Sequence, residues 1–201
     1  MTLTLYCSLT SPYARRVRVM ARVLGAADDI REAVVNPFDS PDALLAHNPL
    51  SKIPVLVGPD ELVLPDSSLI LGYLLARQGR AMPAAAGDWE RARRLTIAEG
   101  VVDACAAIVL EGRRPTGQRS QAHVDRQRGV IARGLAAVAA EPPEQSPADA
   151  DPYAITVAVL LGYLDFRLPT VDWRSSAPSL VGWYADAAAL PAMQATRPPE
   201  G

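Results

Sequence analysis

The chain has 201 residues, 49% of them hydrophobic, and a net charge of −2, enough length and apolar content for one large core or two small ones and too apolar for a disordered chain. Positive and negative residues are mixed along it, which leaves no electrostatic footprint for nucleic acid or an anionic membrane. The N-terminus lacks a basic stretch followed by a long apolar core and a cleavage site, and the longest apolar run, residues 154–164, falls far short of the roughly 20 residues a membrane span requires. A cytoplasmic protein with a small-molecule or protein partner is expected.

Leu3, Leu5 and Cys7 alternate with Thr4 and Tyr6 as a strand does, and Pro12 stands where the first turn of a helix tolerates it. In that helix Val17, Met20, Ala21 and Leu24 make an apolar face and Gly25 a stop, while Arg15, Arg18 and Arg22 share the other side and read as a solvated or dimer-facing row. Residues 30–35 read as a second strand, 41–47 as a short helix and 54–57 as a third strand. A turn over residues 58–61 leads to a strand at 62–64, and 67–77 form a helix with Ile70, Tyr73 and Leu74 inward.

The Gly- and Pro-containing segment 78–87 reads as a linker, and beyond it only helices are expected. Leu95, Ala98, Val102, Cys105 and Val109 step by three and four along a helix over 88–111, and 124–140 give another. The Pro-rich segment 141–152 reads as a mobile surface loop. Residues 154–166 are apolar nearly all round and form a central buried helix, with Asp151 as N-cap and Pro152 at the first helical position. The expected fold is therefore α/β plus all-α: a βαβαββα domain over 1–79, a linker over 80–87, and a helical domain over 88–201.

The order βαβαββα with a proline opening a strand is the thioredoxin-like plan, and the loop before the first helix, Thr10-Ser11-Pro12-Tyr13, resembles the redox motif Cys-Pro-X-Cys with hydroxyl and methyl groups in place of the thiols. Disulfide chemistry there is excluded. A hydroxyl at a helix N-terminus can instead donate to a bound thiolate and lower that ligand's pKa, besides capping the helix. Ile53-Pro54 opens a strand, and a cis peptide there would turn Ile53 outward to pair with a peptide ligand. Asp66-Ser67 at a helix start can cap it, or bind the carboxylate and ammonium of an α-amino-acid head. Cys7 and Cys105 read as core residues, and neither His47 nor His123 has partners at metal-ligand spacing, so no metal site is expected.

Taken together, SLTSPYARRVRV, NPLSKIPVL and LVLPDSSLILGYL occur in the order and spacing of glutathione transferases, and GYLDFRLP with the following DWR resembles a bacterial branch of that superfamily. The resemblance implies that Ser11 is the thiolate-binding hydroxyl of a serine-type site with Thr10 as its neighbour, that Lys52, Ile53 and Pro54 hold the peptide backbone of glutathione, and that Asp66 and Ser67 hold its γ-glutamyl end. It further implies a homodimeric detoxification enzyme that takes glutathione as co-substrate and a small hydrophobic electrophile as acceptor, with Tyr13, Val109, Arg113 and Arg114 facing the acceptor. Pro65 before Asp66 and Ala154 in place of a capping aspartate depart from the family pattern. A glutathione-dependent peroxidase, disulfide reductase or isomerase, and a noncatalytic adaptor in a protein complex, are the alternative functions of the same scaffold.

Overall fold

A computed structural model describes residues 2–59 and 61–199. Four strands, β1 (Leu3–Cys7), β2 (Ile30–Val34), β3 (Val55–Val57) and β4 (Val63–Pro65), form one sheet in the order β2-β1-β3-β4. β1 runs parallel to β2 and antiparallel to β3, and β3 pairs antiparallel with β4. Between the strands lie α1 (Pro12–Val23) and the short α2 (Asp42–Leu45), and α3 (Ser67–Ala76) follows the sheet. This is the expected thioredoxin-like βαβαββα layer, with Asp60 of the expected 58–61 turn outside the described residues.

Beyond it come α4 (Trp89–Gly112), α5 (Gln121–Ala140), α6 (Pro152–Arg167), α7 (Trp173–Ser176), α8 (Ser179–Ala189) and α9 (Pro191–Gln194). α6 belongs to two cores: Ile155, Ala158 and Val159 pack with β1, α1 and α3, whereas Val157, Leu160, Leu161 and Leu164 pack with α4 and α5. An all-round apolar helix is what such a double role demands. Asp151 caps it, accepting from the Ala154 N–H at 2.7 Å, and also receives the Arg91 guanidinium. Among the described residues no helix is long and apolar enough to cross a membrane.

Two expectations need correction. Arg15 and Arg18 do not face solvent: they are 7% and 6% exposed, because α1 lies between the sheet and α6 and has no free side. Arg18 Nε donates to Glu32 at 2.9 Å and Arg22 to the same carboxylate at 3.2 Å. Arg15 donates to the Met193 carbonyl at 3.2 Å and crosses Gly162, where a Cβ would stand 2.8 Å from its Nη1. The segment 141–152 is a surface loop but a fastened one: Arg93 binds the Glu141 carboxylate, Ser146 and Asp149 form a reciprocal capping box, and Arg80 donates to the Asp149 carbonyl at 2.9 Å.

Where α5 crosses α4, Gly134 lets the two backbones approach; a Cβ there would lie 2.2 Å from Val101 Cγ2, and Val101 is 1% exposed. In an open helix Gly→Ala gains about 1 kcal/mol. Here Gly134→Ala is expected to cost roughly 1–3 kcal/mol through overpacking, read from urea unfolding, and pairing it with Val101→Ala should recover part of the loss.

Candidate active site

The loop between β1 and α1 is a cluster of half-buried hydroxyls. Ser11 Oγ accepts from the Ala14 N–H at 3.2 Å and caps α1, with Pro12 at the first helical position. Because that bond uses a lone pair of the hydroxyl, the Ser11 proton stays free to be donated. Ser8 and Thr10 share a hydroxyl–hydroxyl bond of 3.2 Å beside it. Ser8 escaped the sequence reading, since a lone serine ahead of a loop carries no signal.

Across the sheet the Ile53–Pro54 peptide is cis. Asn48, 2% exposed, holds this turn: its amide donates to the Lys52 carbonyl at 2.9 Å and its oxygen accepts from the Leu50 N–H at 3.1 Å. The Pro54 carbonyl accepts from the Asp66 N–H at 3.3 Å, and Val55 pairs with Pro65, so residues 52–54 and the start of α3 lie side by side. Pro65 therefore serves as the last residue of β4, a position that needs no donor on its outer side. Asp66, at φ 75°, caps α3 by accepting from Ser68 N at 2.7 Å and Leu69 N at 3.1 Å.

Behind α3 stands Arg16, which is 5% exposed. Its Nε and Nη2 both donate to Ser67 Oγ, at 3.0 and 2.7 Å, and Nη2 also to Ser68 Oγ at 2.6 Å. Its Nη1 meets Glu99 of α4 and, at 3.4 Å, Thr156 Oγ1 of α6. Ser68 in turn donates to Glu99 at 2.7 Å. With both Ser67 lone pairs occupied, the Ser67 hydroxyl can act only as a donor. Arg16, Ser68, Glu99 and Thr156 are absent from the sequence reading; only the bare Arg15-Arg16 pair in the loop motif could have drawn attention to the first.

A cavity of about 140 Å³ opens against this network, between the α/β layer and the helices, lined by Pro12, Tyr13, Arg16, Asp66, Ser67, Ser68, Glu99, Val102, Asp103, Thr156 and Val159. Three carboxylates against one guanidinium make it a place for a cationic group beside hydroxyl donors. The Tyr13 hydroxyl donates to Asp103 at 2.6 Å, and burial together with that bond pushes its pKa far above the ordinary phenol range. Tyr13 is thus a fixed wall of the cavity and stays protonated. The structure brings Tyr13, Asp66 and Ser67 into this lining and sets Ser11 next to Pro12 at its edge. Thr10, Lys52, Ile53, Pro54, Val109, Arg113 and Arg114 lie outside it. Among the described residues no group of three or more His, Cys, Asp or Glu side chains is arranged to hold a metal.

A thioredoxin-like layer carrying a hydroxyl loop in place of a dithiol is thus joined to a helical bundle across a polar cavity. The family model for the glutathione S-transferase N-terminal domain matches residues 5–82. A glutathione transferase family member from Pseudomonas fluorescens Pf-5, solved with bound glutathione, is 35% identical with a TM-score of 0.90, covering 99% of this chain and 100% of that one. A second structure of a glutathione transferase family member from that organism, with bound S-(propanoic acid)-glutathione, is 34% identical with a TM-score of 0.84, covering 98% and 100%. The uncharacterized GST-like protein YibF of Escherichia coli K12 is 29% identical over 96% of this chain and 97% of its own length. The chain belongs to the glutathione transferase family.

Burial, with the nearby Glu32 adding to it, raises Cys7 to about 11, and burial raises Cys105 to about 12. Both are uncharged at neutral pH; in the unfolded chain they would ionise near 9.0, so their contribution to stability is present below that pH and is lost as pH rises through the folded values. We expect a disulfide reagent such as dithionitrobenzoate at pH 8 to react with neither thiol in the native protein and with both in urea. A native-state titre of even one thiol would contradict this.

Proposed function

We propose that the protein is a glutathione transferase that binds glutathione across Lys52, Ile53, Pro54, Asp66 and Ser67, keeps its sulfur as thiolate beside Ser11, and joins it to a small hydrophobic electrophile. The observation that carries this reading is the Ser67 hydroxyl, fixed as a donor by Arg16 next to the Asp66 carboxylate at the start of α3. A donor and an anion side by side suit the two charges on one carbon of a γ-glutamyl head, the carboxylate on Ser67 and the ammonium facing Asp66.

The residues around the sulfur suit activation of a bound thiol. Ser11 keeps a free proton while its oxygen caps α1, and the partial positive charge of that helix end favours an anion at the same place. A thiol whose free pKa is near 8.5 is mostly protonated at neutral pH, and only its thiolate attacks efficiently. On activation the thiol proton passes to water. The sulfur then bonds to the electrophilic carbon, and a leaving group departs with the bonding pair. Thr10 lies one residue away as a second hydroxyl, tied to Ser8 rather than to the helix. The bound S-(propanoic acid)-glutathione of the Pseudomonas fluorescens neighbour, a glutathione whose sulfur is substituted by carbon, supports S-conjugation as the reaction class.

Calorimetric titration with glutathione should give micromolar-to-millimolar binding, weakened roughly tenfold or more when Asp66→Ala and Ser67→Ala remove the charged and hydroxyl contacts. Absence of binding in the unaltered protein would reject the reading. Ser11→Ala should lower turnover of 1-chloro-2,4-dinitrobenzene by about tenfold or more and move the pH–rate profile upward, because the thiolate loses its donor. Unchanged rate and profile would remove Ser11 from the mechanism and leave the binding site standing.

A further inference from the structure

From the cavity, α4 continues outward along one face. Val102 lines the cavity, and Ala106, Val109 and Arg113 follow at steps of four, three and four residues. Val109 is half-buried against the helical core. At the end of this face Arg113 holds its guanidinium 4.6 Å from the centre of the Phe38 ring, which is 61% exposed. Phe38 sits in the turn after β2, and that turn is fastened to the segment beside Lys52, because Ser51 Oγ donates to the Pro37 carbonyl at 2.9 Å. The Arg113–Phe38 pair thus links the helical layer to the α/β layer, as the Tyr13–Asp103 bond does further in.

The charge at this outer end is unbalanced. Arg114 is occupied, with its side chain 3.7 Å from Glu111 and its carbonyl accepting from Arg119 at 2.8 Å. Among the described residues Arg113 has no carboxylate within ion-pair distance; its only close partner is an aromatic face, which orients the planar group without neutralising it. Tyr163 of α6, 6% exposed, belongs to the helical core against which Tyr13 and Val109 pack, and its hydroxyl meets no hydrogen-bond partner among the described residues. Burial is the main influence on its acidity, Arg113 is among the charges that reach it, and it acts in turn on Tyr13. This face of α4 therefore runs from the cavity-lining Val102 to an unpaired, pre-oriented cation against an aromatic ring.

Resting on the transferase reading above, we infer that Arg113 is a specificity-determining residue that receives the carboxylate of an acidic acceptor, so that the preferred electrophiles are apolar compounds bearing a carboxylate at the end remote from the reacting carbon. The guanidinium fork matches a carboxylate in two parallel bonds, Phe38 keeps the fork in plane, and the Val102, Ala106 and Val109 face receives the apolar body. Arg113 takes no part in the bond changes. With a chloronitrobenzoate, the glutathione sulfur bonds to the carbon bearing chlorine, chloride leaves with the bonding pair, the thiol proton goes to solvent, and the carboxylate is unchanged.

The test is a matched pair of acceptors, 4-chloro-3,5-dinitrobenzoate and its methyl ester, which differ in charge and share the reacting carbon. In the unaltered enzyme the acid-to-ester ratio of kcat/KM, each corrected for the uncatalysed rate, should exceed one and fall as salt is raised. Arg113→Gln should lower that ratio about fivefold, the size expected of one exposed charge pair, and Arg113→Lys should retain part of it. A ratio that does not respond to Arg113→Gln, or to salt, overturns the inference while turnover of the ester leaves the transferase reading intact. If neither acceptor is turned over, titration with the two S-aryl glutathione conjugates decides: tighter binding of the acid conjugate that depends on Arg113 supports the site, and equal binding of both overturns it.

Discussion

A guanidinium cannot give up its proton inside a protein, so a buried arginine has to be met by acceptors wherever the fold places it. Arg16 is that case, and its acceptors come from three other helices: Ser67 and Ser68 of α3, Glu99 of α4 and Thr156 of α6. One planar group therefore sets where the sheet-bearing layer meets the helical bundle. It also sets the chemistry of the cavity, because the lone pairs it takes from Ser67 decide that this hydroxyl donates. A lysine could supply the charge but not the fork that reaches three elements at once. On the proposed reading stability and ligand recognition share a single side chain, and removing its carboxylate partner Glu99 would leave charge uncompensated in a nearly dry site.

The elements were readable from local pattern: alternation gave β1, the Ser-Pro start and Gly25 bounded α1, and the unbroken apolar run of α6 signalled a helix buried on every side. The arginines of α1 were not. Periodicity assigns charged residues to a wet face, and that assumption fails when a helix is covered by a sheet on one side and by α6 on the other. The Arg16 contacts span 51, 83 and 140 residues of sequence, and no short motif encodes such separations. Segment 141–152 misled for a related reason. Its prolines and acids look like a free loop, yet its fastenings, Arg80, Arg91 and Arg93, lie far upstream. In the candidate site Ser11 and Asp66 were legible because each caps a helix locally, and Ser67 because it opens α3 beside that cap, whereas Asn48 and Arg16, which hold those motifs in place, were not.

Three of the protein's own titratable groups are held protonated at neutral pH. Cys7 and Cys105 are pushed up by burial, and Tyr13, the phenol beside the proposed sulfur position, is pushed further by burial and by its bond to Asp103. A tyrosine so placed could not serve as an acid near neutral pH. On the proposed reading the activating group is the Ser11 hydroxyl, whose own ionisation is out of range and which works by donating a bond. Such a group shifts the ligand's equilibrium without ever changing charge itself.

The links between the two layers differ in strength, and their order along the opening has a consequence. The innermost is the Arg16 network, many charge-assisted bonds in a nearly dry place. Next comes Tyr13–Asp103, one short bond at 2.6 Å. The outermost, Arg113 on Phe38, is an exposed cation–π contact worth about 0.5–1 kcal/mol. Rigidity therefore falls from the end that fits a single invariant head group to the end where different acceptors arrive. An outer link that weak can shift to accommodate a ligand at little cost, while the inner one cannot open without exposing a buried charge. On the proposed reading, a firmly held thiol site and a more yielding acceptor end are two parts of the same interface, graded by how much charge each link keeps out of water.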